Sequence, residues 1–282
     1  MSIIKSPLRY PGGKSRAIPK ILEQLPESFL EFREPFAGGG SVFIAIRQKF
    51  PEVQVWINDL NFDLYCFWKI AQSNTRELAD AVTKIKNETK NGRQLFDEFR
   101  SSLNNDLSDF DRAVRFFVLN RVTFSGTVDS GGYSEAAYHS RFTTSSISRL
   151  LSLEPLLQNV KITNLDYRDV IHALGNDVFV FLDPPYLVAT KSRLYGKNGD
   201  LHLGFEHAQF ANEMKNCQHN WLITYDDSAE IRQNFPDANI YEWELQYGMN
   251  NYKQNNAAKG KELFISNYPA KPARSKFIYL TK

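Results

Sequence analysis

An acidic residue, two prolines and a tyrosine follow an apolar run in the second half of the chain. The segment "DVFVFLDPPYL" predicts a buried strand that ends at Asp183, Pro184, Pro185 and Tyr186. The prolines remove N–H donors, so the Pro184 carbonyl can accept a hydrogen bond beside the Asp183 carboxylate. Two adjacent acceptors suit an amine with two N–H donors, and the tyrosine ring offers a face for stacking. The pattern indicates a site for the exocyclic amine of a nucleobase, although Asp-Pro-Pro is also ordinary turn chemistry.

A second candidate site is the glycine loop formed by Gly38, Gly39 and Gly40, which lies between the predicted strand "FLEFRE" and a helix that begins near Ser41. Glycines let backbone amides approach a ligand closely, but a tight strand-to-helix turn could also require them. Asp59 ends the next predicted strand, about 20 residues further on, where an acid can hold ribose hydroxyls. The loop departs from GxGxxG and is preceded by Phe36, which favours a nucleoside over a dinucleotide.

These sites must be positioned by a largely parallel sheet, because strand-like and helical segments alternate. Strand-like runs include "VQVWIND", "NVKITNLDY", "DVFVFLD" and "NWLITYDD", and "ANIYEWELQY" with "KELFISNY" predicts antiparallel strands that close the sheet. Between residues 72 and 150 the pattern changes to polar helical segments and a glycine-rich loop. We therefore expect one domain formed by 1–71 and 151–282, with a second domain, 72–150, inserted into it.

The composition excludes several classes of protein. The 282 residues, 42% of them hydrophobic, are enough to bury a sizeable core, but no apolar run approaches the roughly 20 residues of a membrane span. The first ten residues lack the apolar core of a secretory signal, so we expect an intracellular protein. Cys66 and Cys217 are isolated, and the histidines form no HxxxH pair, so neither a disulfide nor a metal site is expected.

The net charge of +2 conceals an uneven distribution of basic residues. Uneven placement creates a local field that can attract an anionic partner, although any one basic run can also be a solvated surface. Three groups stand out: Lys5, Arg9, Lys14, Arg16 and Lys20 near the start; Lys191, Arg193 and Lys197 after the tyrosine; and Lys253, Lys259 and Lys261 near the end.

Together the motifs resemble the Dam or D12 class of adenine-specific DNA methyltransferases, and the similarity extends over most of the chain. Its elements occur in family order: "LRYPGGK", "EPFAGGGSVF", "IND", "LNRVTFSG", "LDYRD" and "DPPY". The resemblance implies a class I S-adenosylmethionine-dependent methyltransferase fold, an α/β fold with a mixed, mostly parallel seven-stranded sheet flanked by helices. It also implies that the mainly helical segment 72–150 is the target-recognition domain.

The resemblance implies roles for individual residues. The expected cofactor is S-adenosylmethionine, with Asp59 on its ribose, Asp166 and Tyr167 near its adenine, and Asp183 serving both the cofactor and the target base. The other expected cofactor contacts are Tyr10, Lys14, Glu34, Pro35, Phe36, Gly38, Gly40 and Ser41. The expected catalytic set is Asp183, Pro184, Pro185 and Tyr186, with no metal. Expected DNA contacts are Arg9, Arg121, Thr123, Phe124, Ser125, Lys191, Arg193 and Lys197.

The chemistry follows from the substrate, because the N6 lone pair of adenine is delocalised into the ring and is a poor nucleophile. If Asp183 and the Pro184 carbonyl each accept one N6 hydrogen, they favour a pyramidal nitrogen and direct in-line transfer. A base within duplex DNA must first be flipped out, and we expect it to stack on Tyr186. We expect Phe124 and its small polar neighbours to wedge into the duplex and to read base edges.

Double-stranded DNA is the expected partner, a cognate restriction endonuclease is a further candidate, and we expect a monomer in the cytoplasm, associated with the nucleoid of a prokaryotic or phage-infected cell. The hairpin "VTFSGTVDSGGYS" is richer in glycine than that of GATC-methylating relatives, so the recognition sequence stays open. Methylation of the cytosine N4 amine, a silent DNA-binding module, and an oxidoreductase are alternative functions. The acid at 183, the complete set of motifs and the absence of a dinucleotide fingerprint argue against these three in turn.

Overall fold

The structure is a computed structural model that describes residues 3–102, 106–187, 205–245 and 260–269. Within these ranges the chain forms seven strands and twelve α-helices. The strands are β1 (Glu31–Glu34), β2 (Gln54–Asn58), β3 (Lys161–Thr163), β4 (Val178–Leu182), β5 (Asn220–Asp226), β6 (Asn239–Leu245) and β7 (Gly260–Ser266). The helices are α1 (Ile18–Glu23), α2 (Ser41–Lys49), α3 (Phe62–Ser73), α4 (Thr75–Glu88), α5 (Gly92–Ser101), α6 (Asp109–Val122), α7 (Glu135–Arg141), α8 (Thr144–Leu151), α9 (Glu154–Leu157), α10 (Tyr167–Ile171), α11 (His207–Asn216) and α12 (Ala229–Asn234).

The strands form one sheet in the order β3-β2-β1-β4-β5-β7-β6. The first five in this order are parallel, and β7 runs antiparallel between β5 and β6. The predicted seven-stranded, mostly parallel sheet is therefore confirmed. The sequence also predicted antiparallel closing strands, and the structure adds that the last strand enters between its two predecessors.

The central strand β4 shows how the sheet is covered on both faces. All five of its residues are buried. Phe179 and Phe181 belong to one apolar cluster, whereas Val178, Val180 and Leu182 belong to another. Side chains alternate between the faces of a strand, so a strand covered by helices on both sides must be apolar throughout. The buried strand ends at Leu182, and Asp183 follows it directly.

The helices between residues 75 and 151 pack on one side of the sheet. Their apolar side chains, among them Leu78, Phe96 and Ile147, belong to the same cluster as Phe179 and Phe181 of β4. α6 is buried along most of its length and contacts α3, α4, α5 and α7. The predicted boundaries at residues 72 and 150 fall within α3 and α8. Segment 72–150 is thus mainly helical, and its apolar core is continuous with that of the sheet.

Candidate active site

The carboxyl ends of the parallel strands meet at one edge of the sheet, where β1 and β4 are neighbours. From β1 the chain continues to β2 and β3 on one side, and from β4 it continues to β5 on the other. Open α/β sheets bind ligands where the strand order reverses in this way. The loop after β1, Asp59 after β2 and Asp183 after β4 all lie at this edge.

Asn58 at the end of β2 joins three of these loops. Its Nδ2 donates to the carbonyl oxygens of Pro35 at 3.1 Å and Leu165 at 2.9 Å. Its Oδ1 accepts from the Thr163 hydroxyl and the Leu165 N–H, each at 2.8 Å. The side chain is buried, and its amide uses both its donor and its acceptor capacity. The loops after β1, β2 and β3 are therefore held in a fixed relation.

The glycine loop lies directly against Tyr10. A Cβ atom on Gly38 would lie 2.8 Å from Cε1 of the Tyr10 ring, and one on Gly39 would lie 2.6 Å from the Tyr10 Cβ. Gly38 and Gly40 also have positive φ, at 47° and 71°, which favours glycine. Ser41, the next residue, begins α2. The close packing of Tyr10 therefore requires glycine at 38 and 39, and the backbone of the turn favours glycine at 38 and 40.

Asp59 faces the glycine loop. Its Oδ2 accepts a hydrogen bond from the Gly38 N–H at 2.9 Å, and its Oδ1 accepts one from the Asn61 N–H at 3.0 Å. Burial raises the pKa of Asp59 to about 6, against the lowering effect of these two hydrogen bonds. The ionised Asp59 carboxylate can accept hydrogen bonds from a diol. Below its pKa the group is protonated and must first release that proton.

Glu34 is a second buried carboxyl at this edge. Its Oε2 accepts from the Phe43 N–H in the first turn of α2 at 2.9 Å. Burial raises the pKa of Glu34 well above its ordinary value, and the charges of Asp183 and Asp59 raise it further. The Asp183 and Asp59 carboxyl groups therefore both act on Glu34 at this edge of the sheet.

Phe36 belongs to an aromatic group beside the loop. Its ring centroid lies 5.5 Å from that of Tyr167, 5.8 Å from Phe205 and 6.1 Å from Phe210. Phe36 and Tyr167 are both partly exposed. They offer flat apolar faces at the same edge of the sheet as Asp59.

Asp166 differs from this group because its carboxylate is already engaged. It caps the first turn of α10 by accepting from the Arg168 N–H, and the Arg168 guanidinium binds both carboxylate oxygens at 2.8 and 2.9 Å. Hydrogen bonding to Arg168 lowers the pKa of Asp166. Its side chain therefore fixes the start of α10.

Lys14 reaches the end of β4 from the N-terminal segment. A turn closed by the Gly13 N–H and the Tyr10 carbonyl, with Gly12 at φ 70°, directs Lys14 inward. Its side chain is only 4% exposed, and its Nζ lies 2.7 Å from Oδ1 of Asp183 and 3.0 Å from the Gly12 carbonyl. The sequence placed Lys14 among the cofactor contacts but did not predict this ion pair.

The Asp183 carboxylate is held on one oxygen. Oδ1 accepts from the Thr224 hydroxyl at 2.8 Å as well as from Lys14. Within the described part of the chain, no group donates to Oδ2 or to the carbonyl oxygen of Pro184. The two acceptors that the sequence singled out thus retain capacity for a ligand, and Thr224 fixes the first of them.

Tyr186 is held at both its face and its hydroxyl. The Lys14 Nζ lies 4.7 Å from the ring centroid, and the hydroxyl donates to Oε2 of Glu262 at 2.6 Å. Sequence reasoning missed Glu262 and Thr224. An acid within the apolar strand "KELFIS" was the available signal for Glu262, whereas nothing in the sequence distinguishes Thr224 from a core residue.

The predicted recognition segment docks on the N-terminal segment through Asn120. Its Oδ1 accepts from the Arg9 N–H at 3.0 Å, and its Nδ2 donates to the Arg9 carbonyl at 2.6 Å and the Gly126 carbonyl at 2.9 Å. The Arg9 side chain donates to the Thr123 carbonyl at 3.3 Å. Residues 120–126 are therefore attached directly beside Tyr10.

Phe124 is 68% exposed at the tip of this segment. It begins a short 3-10 turn in which Ser125 and Gly126 have φ of 55° and 77°, and its N–H donates to the Gly132 carbonyl. The ring is therefore accessible to a ligand, and the hydrogen-bonded turn holds it outward.

Two other residues of the segment are buried. Thr123 donates its hydroxyl to the Leu119 carbonyl at 2.8 Å, so its side chain supports the turn from inside. Arg121 is 2% exposed and donates to Oδ1 of Asn120 at 2.7 Å. Burial lowers the pKa of Arg121 to about 9, and the charges of Arg9, Arg149 and Arg141 lower it further. Sequence reasoning did not include Arg141 and Arg149.

Three of the expected DNA contacts, Lys191, Arg193 and Lys197, lie outside the described residues. Among the described residues, no three His, Cys, Asp or Glu side chains lie close enough together to hold a metal ion. Across the same ranges, every helix is too short or too polar to cross a membrane.

Comparison with known proteins identifies the family of the chain. The family model for the D12 class N6 adenine-specific DNA methyltransferases matches residues 10–249. The chain is 28% identical over 207 residues to the type II methyltransferase M.MjaIII of Methanocaldococcus jannaschii, covering 67% of this chain and 71% of that protein. It is 25% identical over 281 residues to the type II methyltransferase M1.LlaDCHI of Lactococcus lactis subsp. cremoris, covering 92% and 94%.

A third relative is the DNA adenine methylase of Escherichia coli strain K12, at 26% identity over 189 residues and 64% of each chain. The family match includes every described motif from Tyr10 to Tyr186 and ends within the segment that precedes β7. The protein thus belongs to the D12 class of N6 adenine-specific DNA methyltransferases.

Proposed function

We propose that this chain transfers a methyl group from S-adenosylmethionine to the N6 amine of adenine in duplex DNA, by flipping the base and by direct in-line transfer. The observation that carries the proposal is the pair of acceptors after β4, Asp183 Oδ2 and the Pro184 carbonyl. Both follow β4, the sheet neighbour of β1, whose C-terminal loop carries the glycines, and neither has a donor among the described residues.

The residues at this edge of the sheet suit S-adenosylmethionine in charge and in hydrogen-bonding character. The charges of Asp59 and Asp183 both act unfavourably on Glu34, so a ligand with positive groups would relieve this repulsion. Asp59 has acceptors for a ribose diol, and Phe36 and Tyr167 provide faces for a purine. When bound, S-adenosylmethionine supplies an electrophilic methyl group on a sulfonium. Gly38 and Gly40 shape the loop with their positive φ, and Tyr10 packs on Gly38, which favours a role for all three in enclosing the cofactor.

The acceptor pair activates the amine. Asp183 and the Pro184 carbonyl would each accept a hydrogen bond from one N6–H, which localises the nitrogen lone pair and directs it toward the methyl group. Lys14 and Thr224 both bind Oδ1, so the carboxylate cannot rotate freely and Oδ2 stays available to the base. As the new N–C bond forms and the methyl group leaves the sulfonium, which becomes a neutral thioether, the nitrogen would release one proton to solvent. Pro185 keeps the backbone rigid between the acceptors and Tyr186.

A thiol nucleophile is disfavoured in this chain. Burial raises the pKa of Cys66 to about 12, and burial also raises the pKa of Cys217. Both thiols are buried, and the thiolate is the reactive form. Direct transfer requires neither.

Recognition of DNA is assigned to segment 72–150 together with Arg9. Phe124 is the exposed wedge, and Ser125 beside it can contact base edges. Arg121 is buried and supports Asn120, with its charge added to those of Arg9, Arg141 and Arg149, so we assign it to phosphate attraction rather than to base reading. Lys191, Arg193 and Lys197 remain candidates for phosphate contacts beside the flipped nucleotide.

Two of the relatives are named type II methyltransferases. On that basis we propose a cognate restriction endonuclease as a functional partner. The DNA sequence that the enzyme recognises is to be found by experiment, with GATC as one possibility.

Labelled S-adenosylmethionine and unmethylated genomic DNA test the proposal. The protein is expected to place the label on adenine N6 within one sequence context, which mapping of modified bases would identify. Label on cytosine N4, or no label on DNA of any sequence, would contradict it.

A further inference from the structure

Glu262 is a carboxyl group in an unusual place. It lies on β7 between its register partners Asp226 on β5 and Trp243 on β6, and only 1% of its surface is exposed. The following residues of the strand, Leu263 to Ser266, are all buried. A leucine would be more favourable for stability at such a position, because burying a charge is costly unless the charge is paired. An acid there suggests a function.

The contacts of Glu262 lead to the tyrosine of the acceptor motif. Oε2 accepts from the Tyr186 hydroxyl at 2.6 Å, whereas Oε1 is buried and has no hydrogen-bond partner among the described residues. Lys14 also contacts Tyr186, over the face of the ring, with its Nζ 4.7 Å from the ring centroid. The ring is therefore held at its far end by Glu262 and over its face by Lys14.

We propose that Glu262 is a positioning residue for base capture, which holds the Tyr186 ring in the plane on which the flipped adenine stacks. The inference rests on the proposed function, since it gives Tyr186 the stacking role. Glu262 does not touch the base or the cofactor in this scheme. It acts through the hydroxyl of Tyr186, so its effect must disappear when that hydroxyl is absent.

The charge of Glu262 links this positioning to pH. Burial raises the pKa of Glu262 to about 7, the Lys14 charge and the Tyr186 hydrogen bond lower it, and Asp183 and Asp226 raise it. Burial also raises the pKa of Tyr186 well above its usual value, so the phenol remains a donor throughout. Above pH 7 the Tyr186 hydroxyl donates to an anion, and the hydrogen bond is stronger. Below pH 7 Glu262 is neutral, and this hydrogen bond is weaker.

The test uses four proteins: wild type, Glu262→Gln, Tyr186→Phe and the double variant. DNA with 2-aminopurine at the mapped target adenine reports flipping by fluorescence, and steady-state kinetics give kcat and the KM for DNA. Glu262→Gln is expected to lower the fluorescence amplitude and to lower kcat by about 10- to 100-fold, as a misplaced active-site group does. Tyr186→Phe should give a similar loss, and the double variant should be no worse than either single one.

Dependence on pH separates positioning from general damage to the fold. The wild-type flipping signal should rise as pH increases through about 7, and the Glu262→Gln signal should be flat across that range. Glu242→Gln, which changes an exposed carboxylate on neighbouring β6, is the matched control and should behave as wild type. If Glu262→Gln unfolds, Tyr186→Phe alone still tests the linkage, since the rise near pH 7 should be lost in that protein also.

The outcomes are distinguishable from failure of the proposed function. A wild-type protein that neither flips nor methylates adenine would remove the proposed function itself. Wild-type activity together with an unchanged flipping signal in Glu262→Gln would overturn the role of Glu262 only. Losses that multiply in the double variant would do the same, because Glu262 would then act independently of the Tyr186 hydroxyl.

Discussion

The Nζ of Lys14 lies 2.7 Å from Oδ1 of Asp183, which joins the N-terminal turn to the end of the central strand β4. The lysine is almost fully buried and the aspartate about four-fifths buried. Since Thr224 binds the same oxygen, both constraints fall on one side of the carboxylate. Several consequences of this geometry can be measured.

Removing the lysine charge should damage both the fold and the chemistry. Lys14→Met leaves Asp183 without its ion pair, and breaking a buried pair costs on the order of 3 kcal/mol of unfolding free energy. We expect a lower midpoint of thermal unfolding and a kcat reduced by at least about 100-fold, because the carboxylate is no longer fixed. The double variant Lys14→Met, Asp183→Asn should recover part of the stability but none of the activity. Calorimetry and single-turnover methylation measure the two effects. Full activity of Lys14→Met would contradict the positioning role.

Asp59 should control the affinity for S-adenosylmethionine. Asp59→Asn loses hydrogen bonds to a charged acceptor, each worth roughly 1.5–3 kcal/mol, so the dissociation constant is expected to rise about 10- to 100-fold. Isothermal titration calorimetry gives this constant directly. Asp80→Asn, which changes an exposed acid on α4, is the control and should bind as wild type. Equal affinity in Asp59→Asn would remove Asp59 from the cofactor site.

The raised pKa of Asp59 makes cofactor affinity depend on pH. Its folded pKa of about 6 lies above the ordinary value of 3.8, so the free protein holds a proton there at pH 5. Ribose hydroxyls require the ionised carboxylate, and binding must then expel that proton. Affinity should therefore increase as pH rises from 5 to 7, by up to about tenfold per unit below the pKa. The dependence should be absent in Asp59→Asn; a wild-type affinity that is constant over this range would show that the site does not use the ionised form.

Asn120 should connect stability with DNA recognition. Asn120→Ala leaves buried groups of Arg9 and Gly126 unpaired, which costs about 3 kcal/mol in total. We expect the unfolding midpoint to fall by about 6–12 °C, and the affinity for specific DNA to fall with it. Asn216→Ala, at the exposed end of α11, is the control. Unchanged stability would mean that residues 120–126 do not depend on this contact.

Phe124 should act on DNA without acting on the fold. An exposed side chain contributes little to stability, so Phe124→Ala should unfold within about 0.5 kcal/mol of wild type. Loss of the wedge should reduce the 2-aminopurine flipping signal and lower kcat/KM by about tenfold, because unstacking costs a few kcal/mol that the wedge helps to offset. Leu174→Ala, at another exposed apolar side chain, provides the comparison. A normal flipping signal in Phe124→Ala would show that Phe124 does not act as the wedge.

The sheet could be predicted from the sequence because its signal is local. The apolar run of β4, the turn residues that end it and the strand-like segments before and after it each depend on a few neighbouring residues. The position of β7 between β5 and β6 could not be predicted, because strand order at the antiparallel edge depends on long-range pairing.

The candidate site was predictable in its residue types but not in its pairings. Asp183, Lys14 and Asp59 stand out through their motifs, yet their partners Thr224 and Asn61 are separated from them by very different distances along the chain. Glu262 lies 76 residues beyond Tyr186 and meets it only because β7 folds back beside β5. Burial of Arg121 and Thr123 was also unpredictable, since the motif does not show that the C-terminal half of α6 is buried on all sides.

Single-turnover methylation by Asp183→Asn, at saturating DNA and S-adenosylmethionine, is the most direct test of the acceptor pair. The asparagine retains the size of the side chain but lacks the carboxylate that accepts from N6. We expect formation of N6-methyladenine to slow by at least about 100-fold, while DNA affinity and the 2-aminopurine signal persist. A rate within a few-fold of wild type would contradict the account, because the amine would then be activated without Asp183.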